Sequence, residues 1–241
     1  MRIKPIPALL LGLAFSGTAQ ASAALPTASL TFNKLWTAES ATTDFLSEIP
    51  AFDASTNTVW VAGVKGVDVL NAVTGSLVQH IDTTAFGSIN SVAIHGGIAA
   101  FAIESTVRTD PGVVKFYDTT TRSLTSGITS ITVGARPDML TFSADGSKLL
   151  VANEASPTVY GTLASTSPNG TRTYNPAVND PVGSVSIIDM GSRSVVATPT
   201  FSGVMQTGSN LRLNTGMDFE PEYIAVNADG SRAFVSLQEA N

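Results

Sequence analysis

Pro137-Asp138-Met139-Leu140-Thr141-Phe142-Ser143-Ala144-Asp145-Gly146-Ser147-Lys148-Leu149-Leu150-Val151 returns, without a gap, as Pro221-Glu222-Tyr223-Ile224-Ala225-Val226-Asn227-Ala228-Asp229-Gly230-Ser231-Arg232-Ala233-Phe234-Val235. Each copy reads as an acid, a short apolar run, an Asp-Gly turn, a basic residue and a second apolar run. Asp-Gly supplies the positive φ that a tight turn requires, so each copy predicts a β-hairpin. One hairpin cannot bury its own apolar face. A hairpin repeated at long intervals therefore predicts an array of small sheets.

Two earlier segments follow the same grammar. Glu48 to Asp53 leads into Thr58-Val59-Trp60-Val61-Ala62, and Asn90 to Ile94 leads through His95-Gly96-Gly97 into Ile98 to Glu104. The first three hairpins are each followed by a second strand pair. These pairs are Val67 to Leu70 with Leu77 to Ile81, Val113 to Asp118 with Ser123 to Thr125, and Ser184 to Asp189 with Ser194 to Ala197. Four antiparallel strands per unit, about 40 to 50 residues apart where no insert intervenes, predict an all-β fold of β-propeller blades. The blades expected are 47–82, 89–130, 137–200 and an incomplete 221–241. This count predicts the N-terminal part of a longer, ring-shaped protein, with Leu30 to Trp36 as a candidate closing strand.

The start of the chain has a different character. Arg2 and Lys4, the apolar run Ile6 to Phe15, and Ala19-Gln20-Ala21 read as a secretory signal over 1–21, with Ala21-Ser22-Ala23 as a second cut. An N-terminal segment, 22–43, then precedes the repeats. The apolar run is too short to span a bilayer, which needs roughly 20 residues. Secreted, periplasmic or cell-surface placement follows. Removing Arg2 and Lys4 takes the formal charge from −6 to −8, which argues against a nucleic-acid partner. The chain has no cysteine, which excludes disulfides, thiolate metal sites and cysteine nucleophiles.

Two stretches exceed the blade length. Ala155 to Pro181 interrupts the third unit, and Ser202 to Phe219 separates the third from the fourth. Loops of this length are functional, or they are solvated surface insertions. In a hairpin the start of the first strand lies beside the end of the second. The starts carry Glu48, Asn90, Asp138 and Glu222; the ends carry Val64, Glu104, Glu154 and Gln238. Both long loops leave from this edge, so the unusual residues gather at one mouth.

Carboxylate and amide oxygens there suit Ca²⁺ or another divalent cation, which makes Glu48, Asp138, Glu154 and Glu222 candidate metal ligands with Asn90 and Glu104 as neighbours. The same residues are also accounted for if each caps its own loop by accepting backbone N–H bonds, the plainer of the two readings. Arg136 and Arg172 are candidate anion contacts. His80 and His95, the only histidines, read as surface residues. Asn169-Gly170-Thr171 matches a glycosylation sequon. No Walker loop, dinucleotide fingerprint or G-x-S-x-G elbow occurs.

Ser47-Glu48-Ile49, Gly66 to Leu70, Asn90 to Ala93, Pro111 to Val114, Arg136 to Phe142, Val151 to Glu154, Gly183 to Asp189 and Glu220 to Val226 resemble, in the same order, the choice-of-anchor I family of extracellular propellers. That family includes proteins named mesenchyme-specific cell surface glycoprotein and some bacterial chains labelled alkaline phosphatase. The resemblance implies a secreted or cell-surface propeller that often finishes in a C-terminal sorting anchor. It carries no catalytic residues onto this chain. Two functions follow as expectations. One is a binding or structural module that meets an extracellular protein, glycan or mineral surface through its loop-bearing face. The other is a metal-dependent phosphohydrolase acting on a phosphate ester.

Overall fold

The computed structural model describes residues 33–127, 130–159, 162–163, 172–173, 181–205 and 219–238. Every regular element among them is a β-strand, and every pairing is antiparallel. The first sheet runs in chain order through β1 (Ser47–Asp53), β2 (Thr58–Gly63), β3 (Gly66–Asn71) and β4 (Leu77–Asp82). The second contains β5 (Ile89–His95), β6 (Ile98–Ile103), β7 (Pro111–Asp118), β8 (Ser123–Leu124) and β9 (Ser130–Ala135). β10 (Pro137–Phe142) and β11 (Lys148–Asn153) begin the third. A short ribbon of β12 (Thr162–Leu163) and β13 (Arg172–Thr173) then interrupts it, before β14 (Ser184–Asp189) and β15 (Ser194–Ala197) complete it. β16 (Pro221–Val226) and β17 (Ala233–Leu237) form the final hairpin.

Both copies of the repeated phrase fold alike. In the first turn Ser143 N donates to Lys148 O and Gly146 N to Ser143 O, each at 2.9 Å. In the second, Asn227 N donates to Arg232 O and Gly230 N to Asn227 O, each at 3.0 Å. Only the glycine of each Asp-Gly pair takes positive φ, at 70° in both copies. The turns are therefore longer than a two-residue connection. The aspartate braces the loop instead: Asp145 Oδ1 accepts from Ser143 Oγ at 2.6 Å and from Ser147 N at 3.0 Å. These bonds hold its carboxyl down at about 2, the Ser143 hydroxyl contributing most. Asp145 is a turn residue, as its sequence context indicated.

Alternation along the strands gives each sheet two apolar faces, and successive sheets share them. Trp60, Val67 and Val69 of the first sheet meet Phe101, Ile103 and Tyr117 of the second, with Phe101 stacked on Tyr117 at 4.4 Å between ring centroids. The opposite face of the second sheet, with Ala100, Val114 and Phe116, meets Leu140, Leu149 and Val151 of the third. Met139, Leu150 and Val185 then meet Ile224 of the final hairpin. At about 25 cal/mol per Å² of apolar area, these shared faces are the main stabilising contribution. The first strands stand side by side, β1 against β5, β5 against β10 and β10 against β16.

The structure departs from several expectations. The outer edge of the second sheet is not Ser123 to Thr125 alone. The chain leaves β7 after β8 and rejoins it at β9, reaching Ala135, beyond the expected limit of residue 130. Asn33 to Trp36 forms no strand, and 30–32 lie outside the described residues. His95 is not a free surface residue. Its ring lies 5.7 Å from that of Phe142, and a Cβ on Gly146 would meet it at 2.2 Å. His80 is likewise engaged, its Nδ1 at 2.7 Å from Asp68 Oδ1. The signal region, the sequon and most of both long loops lie outside the described residues.

Candidate functional site

Apart from the β12–β13 ribbon, each sheet begins with the same irregularity. Pairing runs from Ser47↔Gly63 to Pro50↔Val61, from Ile89↔Ile103 to Ser91↔Ala102, from Pro137↔Asn153 to Met139↔Ala152, and from Pro221↔Leu237 to Ile224↔Val235. Every one of these steps carries one residue too many on the first strand. The extra position is Asn90 in the second sheet and Asp138 in the third, and it lies within Glu48–Ile49 and Glu222–Tyr223 in the first and last. A β-bulge re-aims a side chain out of the alternating pattern. The polar residue that opens each repeat is thus set apart from both apolar faces. Two residues before the acid in three of these strands, Leu46, Arg136 and Glu220 adopt φ of 48°, 46° and 45°. Such left-handed geometry at a residue other than glycine costs about 1–3 kcal/mol and concentrates at functional sites.

The expected pairing of strand starts with strand ends is present. Val64 N donates to Phe45 O, Glu104 N to Ser88 O, Glu154 N to Arg136 O and Gln238 N to Glu220 O, at 2.8 to 3.0 Å. In the third sheet this backbone clasp is doubled by side chains. Arg136 Nη1 donates to Glu154 Oε1 and to Ser156 Oγ, both at 2.5 Å, and Ser156 Oγ donates to Glu154 Oε1 at 2.7 Å. Arg136 Nε also stands 3.8 Å from Glu104 Oε2. Arg136 is therefore committed to carboxylates. Arg136, read from the sequence as a candidate anion contact, is engaged here by Glu154, and the side chain of Arg172 lies outside the described residues.

Around this guanidinium the acids crowd. Burial first, then the carboxylates of Glu154, Glu48 and Glu222, raise Asp138 to about 7 against the opposing charge of Arg136. Burial also raises Glu154, which is 6% exposed, while Arg136 and Ser156 pull it down and Glu220 pushes it up. Glu48 is exposed by accessible area, yet neighbouring protein crowds it enough to raise its carboxyl; Arg136 lowers it and Glu104 raises it.

Glu154, Glu48 and Glu222 thus each act electrostatically on Asp138, and Glu104 acts on Glu48 and stands beside Arg136. Asn90 is engaged next to Asp138. Its Nδ2 donates to Pro137 O at 3.1 Å and ties the second sheet to the third. Among the described residues, no three of His, Cys, Asp and Glu stand together as ligands of one ion. The residues that sequence reasoning missed are Ser156 and Glu220, the latter 2% exposed. Glu220 had a signal, because it occupies the position of Arg136 in the repeat. Ser156 had none.

The fold and this mouth define an all-β repeat domain with a carboxylate-crowded end. The chain belongs to the choice-of-anchor I domain family, whose model matches residues 48–241. Among solved structures it is similar to Kuenenia stuttgartiensis hydrazine synthase, at 14% identity and a TM-score of 0.42, over 79% of this chain and 61% of that one. That likeness is too distant to bear on function. No curated protein matches the chain.

Proposed function

We propose that the protein is a secreted or cell-surface binding module, with its sheets arranged as blades of a β-propeller. In this reading residues 1–21 direct export, and the carboxylate mouth is the recognition face. Contact between successive first strands supports the propeller arrangement, because innermost strands in a propeller line a common axis. The observation that carries the functional reading is the recurring bulge, which gathers Glu48, Asp138 and Glu222 beside Glu154. Such an end attracts a positively charged patch on an extracellular protein and repels polyanions.

A divalent cation is the second element of the proposal. Glu48, Asp138, Glu154 and Glu222 have the oxygen chemistry for Ca²⁺. Their present placement forms no three-ligand group, so the side chains would need to converge on the ion. Phosphate-ester hydrolysis ranks below binding. The Arg136 guanidinium is held by Glu154, and a phosphate dianion would meet the repulsion of the surrounding carboxylates.

The test treats the exported protein with chelator, then assays phosphomonoester hydrolysis and thermal stability as Ca²⁺ or Mg²⁺ is restored. Ca²⁺ is expected to raise Tm in the parent and not in Asp138→Asn, with no hydrolysis under either ion. Hydrolysis abolished by Asp138→Ala and Glu222→Ala would overturn the binding-only reading. An unchanged Tm would remove the cation from it.

A further inference from the structure

The residues before the first sheet do not simply lead into it. Trp36 Nε1 donates to Ala72 O at 3.0 Å, and its ring packs so closely on Gly75 that a Cβ there would meet it at 2.6 Å. Phe45, 4% exposed, seals the other end against Gly63 and lies edge-on to His80 at 6.0 Å. Between these two aromatic anchors the segment bridges the outer face of the sheet and leaves a cleft of about 380 Å³. Val61 and Leu70 are part of its apolar floor. A cleft of this size is within the range of small-molecule sites.

Its charged side chains share one sign. Asp68, Glu39 and Glu48 line it, and no lysine or arginine does. Glu39 and Glu48 stand at the exposed rim. Asp68 is different, because its side chain is only 5% exposed. Its Oδ1 is taken by His80 Nδ1 at 2.7 Å, and no further hydrogen bond to this carboxylate is present among the described residues. A buried carboxylate oxygen facing a cleft with an aromatic wall calls for a donor carrying positive charge. The two rim carboxylates keep the field negative even where His80 is protonated.

We infer that this cleft binds a small organic cation, an ammonium or guanidinium group on an apolar body. The charged group donates to Asp68, the apolar body lies on Val61 and Leu70, and Trp36 covers it. The site is distinct from the Arg136-centred cluster, although Glu48 borders both.

Phenethylammonium, with 2-phenylethanol as its neutral isostere, tests the assignment. Trp60 is fully buried, so a ligand-dependent change in tryptophan emission reports on Trp36, the other of the two tryptophans. The ammonium is expected to quench this emission saturably. The alcohol and Asp68→Asn are each expected to weaken the response by about tenfold or more. Val61→Phe, which fills a half-buried position in the floor, abolishes it and serves as the second variant should Asp68→Asn fail to fold. Asp138→Asn leaves it unchanged, which separates this site from the mouth. Equal binding of the alcohol, parent-like binding by either cleft variant, or no saturable response to the ammonium would overturn the inference.

Discussion

The two copies of the repeated phrase have the same backbone and different surroundings. Leu140 and Ile224, equivalent in the repeat, are both buried, at 2% and 1% exposure, because each faces the preceding sheet. On the opposite face Met139 and Leu150 are buried against the final hairpin, whereas their counterparts Tyr223 and Phe234 are exposed. The phrase determines a hairpin with two apolar faces. Burial of the second face depends on what stands beside it. The mouths differ too: Arg136 and Glu154 form an ion pair where the later copy has Glu220 and Gln238.

The largest contrast is expected in the core. Leu150→Ala should cost about 2–5 kcal/mol, since it empties a packed position. Phe234→Ala, on the exposed face, should change stability by no more than about 0.5 kcal/mol. Paired urea denaturations measure both, and equal losses would contradict the burial difference.

A smaller contrast lies in the turns. Gly146 and Gly230 share a φ of 70°, so alanine strains both by about 1 kcal/mol. At Gly146 the new Cβ would also meet the His95 ring at 2.2 Å, while at Gly230 its nearest neighbour is Ser143 Cβ at 3.9 Å. Gly146→Ala is therefore expected to lower Tm further than Gly230→Ala. It should also disturb the aromatic contact between His95 and Phe142, visible in their ring proton shifts.

The third contrast is in pH dependence. Asp138 is raised from 3.8 to about 7 in the folded chain. Between those values the folded state holds a proton that the unfolded state has lost, so stability falls as pH rises through that window. Asp138→Asn should flatten this slope. Asp229, the exposed acid of the second turn, is shifted the other way, lowered by the Ser231 hydroxyl and amide. Its contribution is present above the ordinary value and is lost as pH falls through the lowered one. Asp229→Asn should leave the slope between the two Asp138 values in place.

Strand pairs, Asp-Gly turns and the juxtaposition of strand starts with strand ends were legible in the residues, because each depends on local chemistry and period-two alternation. Glu154 beside the start of the third hairpin, at Asp138, followed from that register. The bulges were not legible. A single extra residue leaves the apolar and polar classes of Pro137 to Met139 unremarkable, and only the pairing reveals it. β9 escaped for a related reason: Ser130 to Ala135 pairs with the start of β7, on the far side of an interruption, so its partner is not its neighbour in sequence. His95 looked free because Phe142 and Gly146 belong to the next sheet. Contacts between repeats have no signature inside one repeat.

That the bulged acids converge on one mouth can be read from a single titration. Carboxyl carbon-13 shifts of Asp138 are expected to titrate near 7. The midpoint should fall most in Glu154→Gln, less in Glu48→Gln and least in Glu222→Gln, following the order of their influence. A midpoint near 3.8 that none of the three substitutions moves would show that these carboxylates do not share a site.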